Sequence, residues 1–136
     1  MQLIINNKIY TDNSKEADEN SVFVVSKQNE KYKNLAIANG CKEIVEAKDL
    51  KNHLDMSSIK VIGITGTNGK TTTAAAIYSI LLDLGYKVAL QGTRGFFIND
   101  ERVEDYSLTT PVQLGNFAHI QKAMQNGCNF FVMEVS

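Results

Sequence analysis

The sequence is poor in the features that mark secreted and membrane proteins. Only two cysteines occur among its 136 residues, Cys41 and Cys128, and they lie too far apart in sequence for a disulfide framework or a metal-ligand pattern. The first residues lack the uninterrupted apolar run of a signal peptide. No stretch approaches the roughly 18 apolar residues of a membrane span. These absences predict a cytoplasmic protein without a membrane partner, with both cysteines in its core.

Net charge is nearly absent as well. With 14 basic and 15 acidic residues, the chain has a formal charge of -1 and a pI near 6.1. This balance gives no global attraction for nucleic acid, so any affinity for an anion must be local. A hydrophobic share of 43% and a charged share of 21% are typical of a folded globular protein. We expect a monomer with room for a small domain and part of a second one.

The first region, residues 1–58, alternates short apolar runs with polar stretches. Its β-branched and apolar segments predict strands at residues 21–25 and 43–46, and its remaining pattern predicts helices at residues 31–39 and 48–54. The polar residues 55–58 are the predicted boundary to the second region. We therefore expect a small α/β domain in residues 1–58.

The second region, residues 59–136, has a clear order of strands and helices. The apolar pattern predicts strands at 60–65, 87–91 and 129–135, helices at 71–84 and 114–125, and a hairpin at 95–103 that turns at Asn99. Such alternation is typical of an α/β fold with a parallel, right-handed βαβ sheet. The last strand is apolar on both faces, and the remaining sequence cannot cover it. We therefore expect the start of a larger nucleotide-binding domain, continued in a longer protein.

A glycine-rich loop stands between the first strand and the first helix of this region. It consists of Gly66, Thr67, Asn68, Gly69, Lys70, Thr71 and Thr72. The glycines let the backbone wrap around a phosphate, and the helix after the loop adds a partial positive charge. Lys70 would reach the outer phosphates of a nucleotide, and the hydroxyl of Thr71 would hold Mg²⁺. The alternative is a glycine-rich turn without a ligand.

The spacing of this loop departs from the general P-loop pattern, because Ile64 stands where a further glycine is usual. The string from Gly63 to Thr73 instead resembles the ATP-binding loop of the Mur ligases, which build the UDP-linked peptidoglycan precursor in the cytoplasm. The loop also admits the related folylpolyglutamate and cyanophycin synthetases. The resemblance implies a P-loop central domain, ATP and Mg²⁺ as cofactors, and Lys70 as a catalytic residue.

Two further segments resemble the branch of the family that adds the third amino acid to UDP-N-acetylmuramoyl-L-alanyl-D-glutamate. By this resemblance Thr109 and Thr110 would contact the muramoyl dipeptide, Glu134 would bind Mg²⁺, and Ser136 would contact the substrate. Each has a structural alternative: Thr110 can cap the helix that Pro111 begins, and Glu134 can be an exposed residue at a strand end. Both roles of Thr110 can hold together.

A third segment near the start of the chain resembles the uridine-binding stretch of the family's first domain. By this match Ser14 would contact the uridine end of the substrate. The segment departs from the family pattern, since Asn13 replaces an aspartate and Lys15 an arginine, whose planar fork lysine lacks. The same match includes three further candidates: Asp12, Gln28 and Asn29.

Other functions stay open at this level. The rivals are the Mur ligase that adds D-alanyl-D-alanine, which the segment at Thr109 disfavours, and a non-catalytic nucleotide-binding module. The second substrate would be a free amino acid, diaminopimelate or lysine. Because the adenine pocket and the amino-acid domain of the family lie downstream, residues 1–136 alone should bind ATP poorly and make no product. His53 and His119 are predicted to be surface or helix-packing residues, and Arg94 either approaches an anion or is solvated.

Overall fold

The computed structural model describes residues 2–104 and 113–135, which group into two compact units. The chain passes from the first unit to the second between Asp55 and Met56. The start of the last helix, up to Ala118, groups with the first unit. The assignment of residues 1–58 to a substrate-binding domain and of residues 59–136 to an ATP-binding domain stays a prediction.

The first unit contains a four-stranded sheet in which chain order and spatial order agree. Its strands are β1 (Gln2–Ile5), β2 (Lys8–Thr11), β3 (Ser21–Val25) and β4 (Glu43–Glu46). The β1–β2 pair is antiparallel, whereas β3 is parallel to both of its neighbours. The sequence pattern does not predict the hairpin of β1 and β2. Asn6 and Asn7 form its turn with φ angles of 51° and 66°, a left-handed conformation that asparagine tolerates better than most residues.

Helical segments follow β3 and β4. A 3₁₀ turn at Glu30–Tyr32 leads into α1 (Lys33–Ala38), which confirms the helix predicted at residues 31–39. The helix predicted at residues 48–54 is instead a 3₁₀ helix, Ala47–Asn52. The alternation of β3 divides the core. One face packs Val22 and Val24 with Leu3 and Leu50, and the other packs Phe23 with Cys41, which is buried as predicted.

The second unit contains a five-stranded sheet. Its strands are β5 (Lys60–Ile64), β6 (Val88–Gly92), β7 (Gly95–Ile98), β8 (Glu101–Glu104) and β9 (Phe130–Glu134), in the order β5-β9-β6-β7-β8. Strand β9 is parallel to both β5 and β6, which confirms the predicted parallel sheet. Strands β6, β7 and β8 continue the sheet as antiparallel neighbours, and the hairpin turns at Asn99 as predicted.

The two long helices are α2 (Lys70–Asp83) and α3 (Gln113–Gln125). Ala74 of α2 is buried in a cluster with Val88 and Val132, and Ile77 and Leu81 pack against that cluster. The helical periodicity predicts that Leu84 joins this stripe, but Leu84 is 68% exposed, because the helix ends at Asp83 and Leu84 lies beyond its last turn.

Burial in the second unit is uneven. Phe131 and Val132 point to opposite faces of β9 and are both fully buried, so the expectation that the remaining sequence cannot cover this strand is wrong for these two residues. Cys128 is 3% exposed, buried as predicted. Strand β5 pairs with β9 alone within the described part of the chain, and its Val61 is 44% exposed. No helix among residues 2–104 and 113–135 is both long enough and apolar enough to cross a bilayer.

Candidate functional site

The glycine-rich loop lies at the carboxyl end of β5 and leads directly into α2. Gly66 and Gly69 have φ angles of 141° and 79°, values that L side chains rarely adopt, so both positions require glycine. Residues 65–69 are exposed, and Lys70 is half-buried. The loop therefore presents its backbone to solvent where a phosphate could approach it.

The start of α2 has no side-chain cap and no acidic residue of its own to compensate its partial positive charge. Gly69 is the residue that precedes the helix and offers no side chain to cap its N–H groups, and no acidic residue lies in the first turn. The exposed N–H groups and the helix dipole together favour a bound anion. Lys70 and Thr71 occupy the first two helical positions. Their predicted roles, a phosphate contact for Lys70 and a metal ligand for Thr71, stay predictions.

Glu134 lies beside this loop because of the strand order. In the parallel pairing of β5 with β9, Glu134 stands opposite Ile64, the last residue of β5. The Thr71 hydroxyl donates a hydrogen bond of 2.8 Å to Oε1 of Glu134. Glu134 is only 3% exposed, so the alternative of an exposed carboxylate at a strand end is wrong. Two residues 63 positions apart are thus brought into direct contact.

Thr93, which the sequence pattern does not single out, completes the surroundings of this carboxylate. Its backbone N–H donates to Oε2 of Glu134 at 2.8 Å, and its hydroxyl donates to Oε1 at 3.2 Å. A Cβ placed on Gly92 would lie 2.8 Å from Cδ of Glu134. In the sequence, the only sign of this role is a Gly-Thr pair, Gly92-Thr93, at the end of β6. The pairing of β6 with β9 is what brings that pair to Glu134.

These groups can be tested for their fit to a magnesium ion. The Thr71 hydroxyl and the Glu134 carboxylate are hard oxygen donors, which Mg²⁺ prefers, and a Mg²⁺ site usually adds waters and substrate phosphates to one or two protein ligands. The described ranges contain no cluster of three or more His, Cys, Asp or Glu side chains that could hold a metal. The residues present therefore fit Mg²⁺ bound together with a nucleotide, and not a closed all-protein cage.

A partly apolar cavity of about 190 Å³ adjoins the carboxylate. Its walls include Thr71, Tyr78, Leu90, Phe97 and Glu134, and Arg94 borders it. The rings of Tyr78 and Phe97 lie 6.3 Å apart. Burial raises the pKa of Tyr78, and the carboxylate of Asp100 adds to this shift. Arg94 is exposed, and its two predicted alternatives remain open.

The predicted uridine contacts of the first unit lie in two loops, which follow β2 and β3. Ser14 is 7% exposed, and its backbone oxygen accepts a hydrogen bond of 2.9 Å from the Asn39 amide. The Asn29 amide donates to the backbone oxygens of Asp12 and Val24 at 3.0 and 2.9 Å, and it accepts from the Ser26 N–H. Asn29 is thus occupied by backbone groups, whereas the uridine role of Ser14 stays a prediction.

Three predicted substrate contacts lie outside the described residues. They are Thr109, Thr110 and Ser136; the alternative role of Thr110 as a helix cap before Pro111 lies outside as well.

His119 has partners that its sequence position does not reveal. It is 3% exposed, and its ring is stacked on Phe96 with centroids 4.1 Å apart. Nδ1 lies 2.7 Å from Oε1 of Gln91, and Nε2 lies 2.8 Å from Oε2 of Glu104. Both ring nitrogens thus have a hydrogen-bond partner, and which atom donates depends on the tautomer of the ring. His119 is therefore a packing residue, as one alternative predicted, but it is not without partners.

The fold and the loop together define a class of protein: an α/β protein in which a phosphate-binding type of loop connects a parallel strand to the following helix. The family described as Mur ligase middle domain matches residues 64–136, more than half of the chain. The chain belongs to the Mur ligase family.

Curated relatives share the same name. The chain is 55% identical over 126 residues to the UDP-N-acetylmuramoyl-L-alanyl-D-glutamate--2,6-diaminopimelate ligase of Wolinella succinogenes, covering 93% of this chain and 29% of the relative. For the protein of that name from Helicobacter hepaticus the identity is 52%, covering 90% and 27%. For that of Helicobacter pylori it is 48%, covering 93% and 28%. The chain thus spans less than a third of the length of these relatives.

A solved structure agrees with the fold. The structure of a UDP-N-acetylmuramoyl-L-alanyl-D-glutamate--2,6-diaminopimelate ligase matches with a TM-score of 0.69 and 21% identity. The match covers 93% of this chain and 31% of that one. At this identity the likeness concerns the fold alone, and it confirms the predicted α/β architecture.

Proposed function

We propose that these residues belong to an ATP-dependent ligase that adds diaminopimelate to UDP-N-acetylmuramoyl-L-alanyl-D-glutamate. The observation that carries this proposal is the 55% identity to a relative of that name over nearly the whole chain. The contact between Thr71 and the buried Glu134 beside the loop supports it. Because the chain spans 29% of that relative, the activity is proposed for a polypeptide of the relatives' length.

Each residue of the site has a proposed part. The backbone of residues 66–69 would bind the phosphates of ATP, and Lys70 would face the γ-phosphate as a point charge. Thr71 and Glu134 would hold Mg²⁺, which when bound neutralises charge on the phosphates. Ser14, Thr109, Thr110 and Ser136 remain the proposed contacts to the UDP-linked substrate. The site would act mainly by positioning its reactants and by neutralising charge.

The chemistry needs two steps. A carboxylate at neutral pH is a poor acyl acceptor, so ATP would first phosphorylate the free carboxylate of the D-glutamyl residue, releasing ADP. The amine of the incoming amino acid would then attack the acyl phosphate, forming an amide and releasing phosphate.

ATP and a nucleotide-linked precursor are both metabolites of the cytoplasm, which supports a cytoplasmic location. The chain's charge balance supports the absence of a nucleic-acid partner, and we propose a monomer.

The test is a ligation assay with the whole polypeptide. Diaminopimelate should be joined to the precursor with release of phosphate, while lysine, D-alanyl-D-alanine and glutamate with a folate acceptor should give little product. If phosphate is released with D-alanyl-D-alanine and with none of the other tested amines, the protein is the rival ligase. ATP binding without product from any amino acid would favour a non-catalytic nucleotide-binding module.

Lys70→Ala should remove turnover in this assay, by at least about a thousandfold, because it removes the cation that faces the transferred phosphate. Lys60→Ala is the matched control, since Lys60 is an exposed lysine at the start of the same β5 strand. It should leave turnover unchanged. Near-normal turnover in Lys70→Ala would overturn the assigned role of the loop.

A further inference from the structure

The carboxylate of Glu134 is held from two sides. Helix α2 supplies the Thr71 hydroxyl, and the turn after β6 supplies both the N–H and the hydroxyl of Thr93. Oε1 accepts both hydroxyls, and Oε2 accepts the N–H group. Donors on both oxygens define the orientation of the carboxylate plane as well as its position.

Gly92 provides the space that this orientation requires. A Cβ at position 92 would lie 2.8 Å from Cδ and 3.1 Å from Cγ of Glu134, whereas carbon atoms in favourable contact are about 3.5–4.0 Å apart. Its φ lies outside the left-handed region, so the backbone conformation itself does not demand glycine. The side chain of Glu134 occupies the place where a side chain of residue 92 would begin.

We propose that Thr93 is a positioning residue that, with the space left by Gly92, orients Glu134 and thereby sets the affinity of the site for Mg²⁺; this rests on the proposed function. The Thr71 hydroxyl donates its hydrogen bond to Glu134, which leaves the lone pairs of the Thr71 oxygen for a cation. If the carboxylate turned away, Thr71 would lose that acceptor. Groups that hold a metal ligand in place commonly change metal affinity by about 10–100-fold when they are removed.

The direct measurement is Mn²⁺ binding, followed by electron paramagnetic resonance in the presence of a non-hydrolysable ATP analogue. Thr93→Val in the whole polypeptide removes one donor at nearly constant shape and keeps the N–H group. It should weaken Mn²⁺ binding about tenfold. Thr93→Ser retains the hydroxyl and should restore most of the affinity. A residue that served folding alone would not produce this pattern in a protein whose circular dichroism is unchanged.

Comparing these variants with Glu134→Gln distinguishes failure of the positioning role from failure of the proposed metal role. If Glu134→Gln loses Mn²⁺ binding but Thr93→Val binds as the unmodified protein does, the positioning role is wrong and the proposed function stands. If Glu134→Gln also binds normally, the metal role of Glu134 within the proposed function fails, and the positioning role fails with it.

A second measurement tests the geometry without any metal. Gly92→Ala should lower the melting temperature, and the drop should shrink when Glu134→Ala removes the carboxylate that the new methyl group meets. Gly63→Ala is the matched control in the same sheet, because its methyl group would meet only Cγ2 of Val135, at 3.3 Å. Its effect should be the same with either residue at 134. An equal drop for Gly92→Ala in both backgrounds would overturn the steric account.

Discussion

Polar side chains serve different partners in the two units. In the first unit, Asn29 and Asn39 donate to backbone oxygens of neighbouring turns. In the second unit, Thr71 and Thr93 donate to the side chain of one carboxylate, Glu134. No ion pair joins Glu134 to a cation among the residues that the structure describes.

This difference in hydrogen-bond partners distinguishes side chains that stabilise the fold from side chains that belong to a functional site. A side chain that satisfies backbone groups avoids the cost of burying them unpaired. A buried carboxylate held by neutral donors is costly to keep without a cation, so such an arrangement is typical of functional sites. Substitutions of Asn29 or Asn39 should therefore change stability first, whereas those around Glu134 should change metal binding first.

The largest effect on stability is expected for Asn29→Ala. It removes both donors to Asp12 and Val24 and the acceptor of the Ser26 N–H. Each unpaired, partly buried group costs about 1 kcal/mol or more, so the free energy of unfolding should fall by roughly 3 kcal/mol. Urea denaturation would measure it, with Asn20→Ala as control, since Asn20 is exposed. A loss equal to that of the control would remove the proposed contrast between the units.

A smaller effect is expected for His119→Phe. Phenylalanine keeps the stacking on Phe96 but removes the ring nitrogens that hydrogen-bond with Gln91 and Glu104. Since Gln91 is fully buried, the free energy of unfolding should fall by about 2 kcal/mol.

The control for this prediction is His53→Phe. His53 is exposed, and its ring only faces that of Tyr10 at 5.9 Å, so urea denaturation should detect little change. If His119→Phe and His53→Phe had the same free energy of unfolding, the hydrogen bonds of His119 would contribute nothing to stability.

The smallest effect is expected for the ion pair between Lys8 and Glu43. The hydrogen bond to Glu43 raises the pKa of Lys8, but both side chains are about half exposed, and water and salt screen such pairs. Lys8→Ala should not change the urea midpoint measurably in about 0.15 M salt. A clear loss that disappears at high salt would show that this surface pair matters after all.

The elements of the fold are largely predictable because their patterns are local. Strand β3 and the hairpin at Asn99 stand where the β-branched, aromatic run and the turn residue predict them. The β1–β2 hairpin escapes prediction because Asn6-Asn7 is a weaker turn signal than an asparagine followed by glycine. The prediction for Leu84 is wrong because the periodicity of a helix does not state where its packing ends.

The candidate site is predictable only in part. The loop from Gly66 to Thr72 can be identified because its residues are consecutive, and glycine, lysine and hydroxyl groups each have a local role there. Thr93, Gly92 and the partners of His119 cannot be found in this way, because their contacts join residues 41 and 28 positions apart. Such contacts depend on which strands become neighbours.

By itself, the sequence determined the secondary structure of most of the chain and the presence of a phosphate-type loop, since both depend on neighbouring residues. The tertiary structure alone decided that β9 lies between β5 and β6. That order places Glu134 between Thr71 and Thr93 and buries its charge among neutral donors. A side chain that looked like an exposed strand end is thereby made the centre of the site, because pairing of parallel strands brings together residues that are distant in the chain.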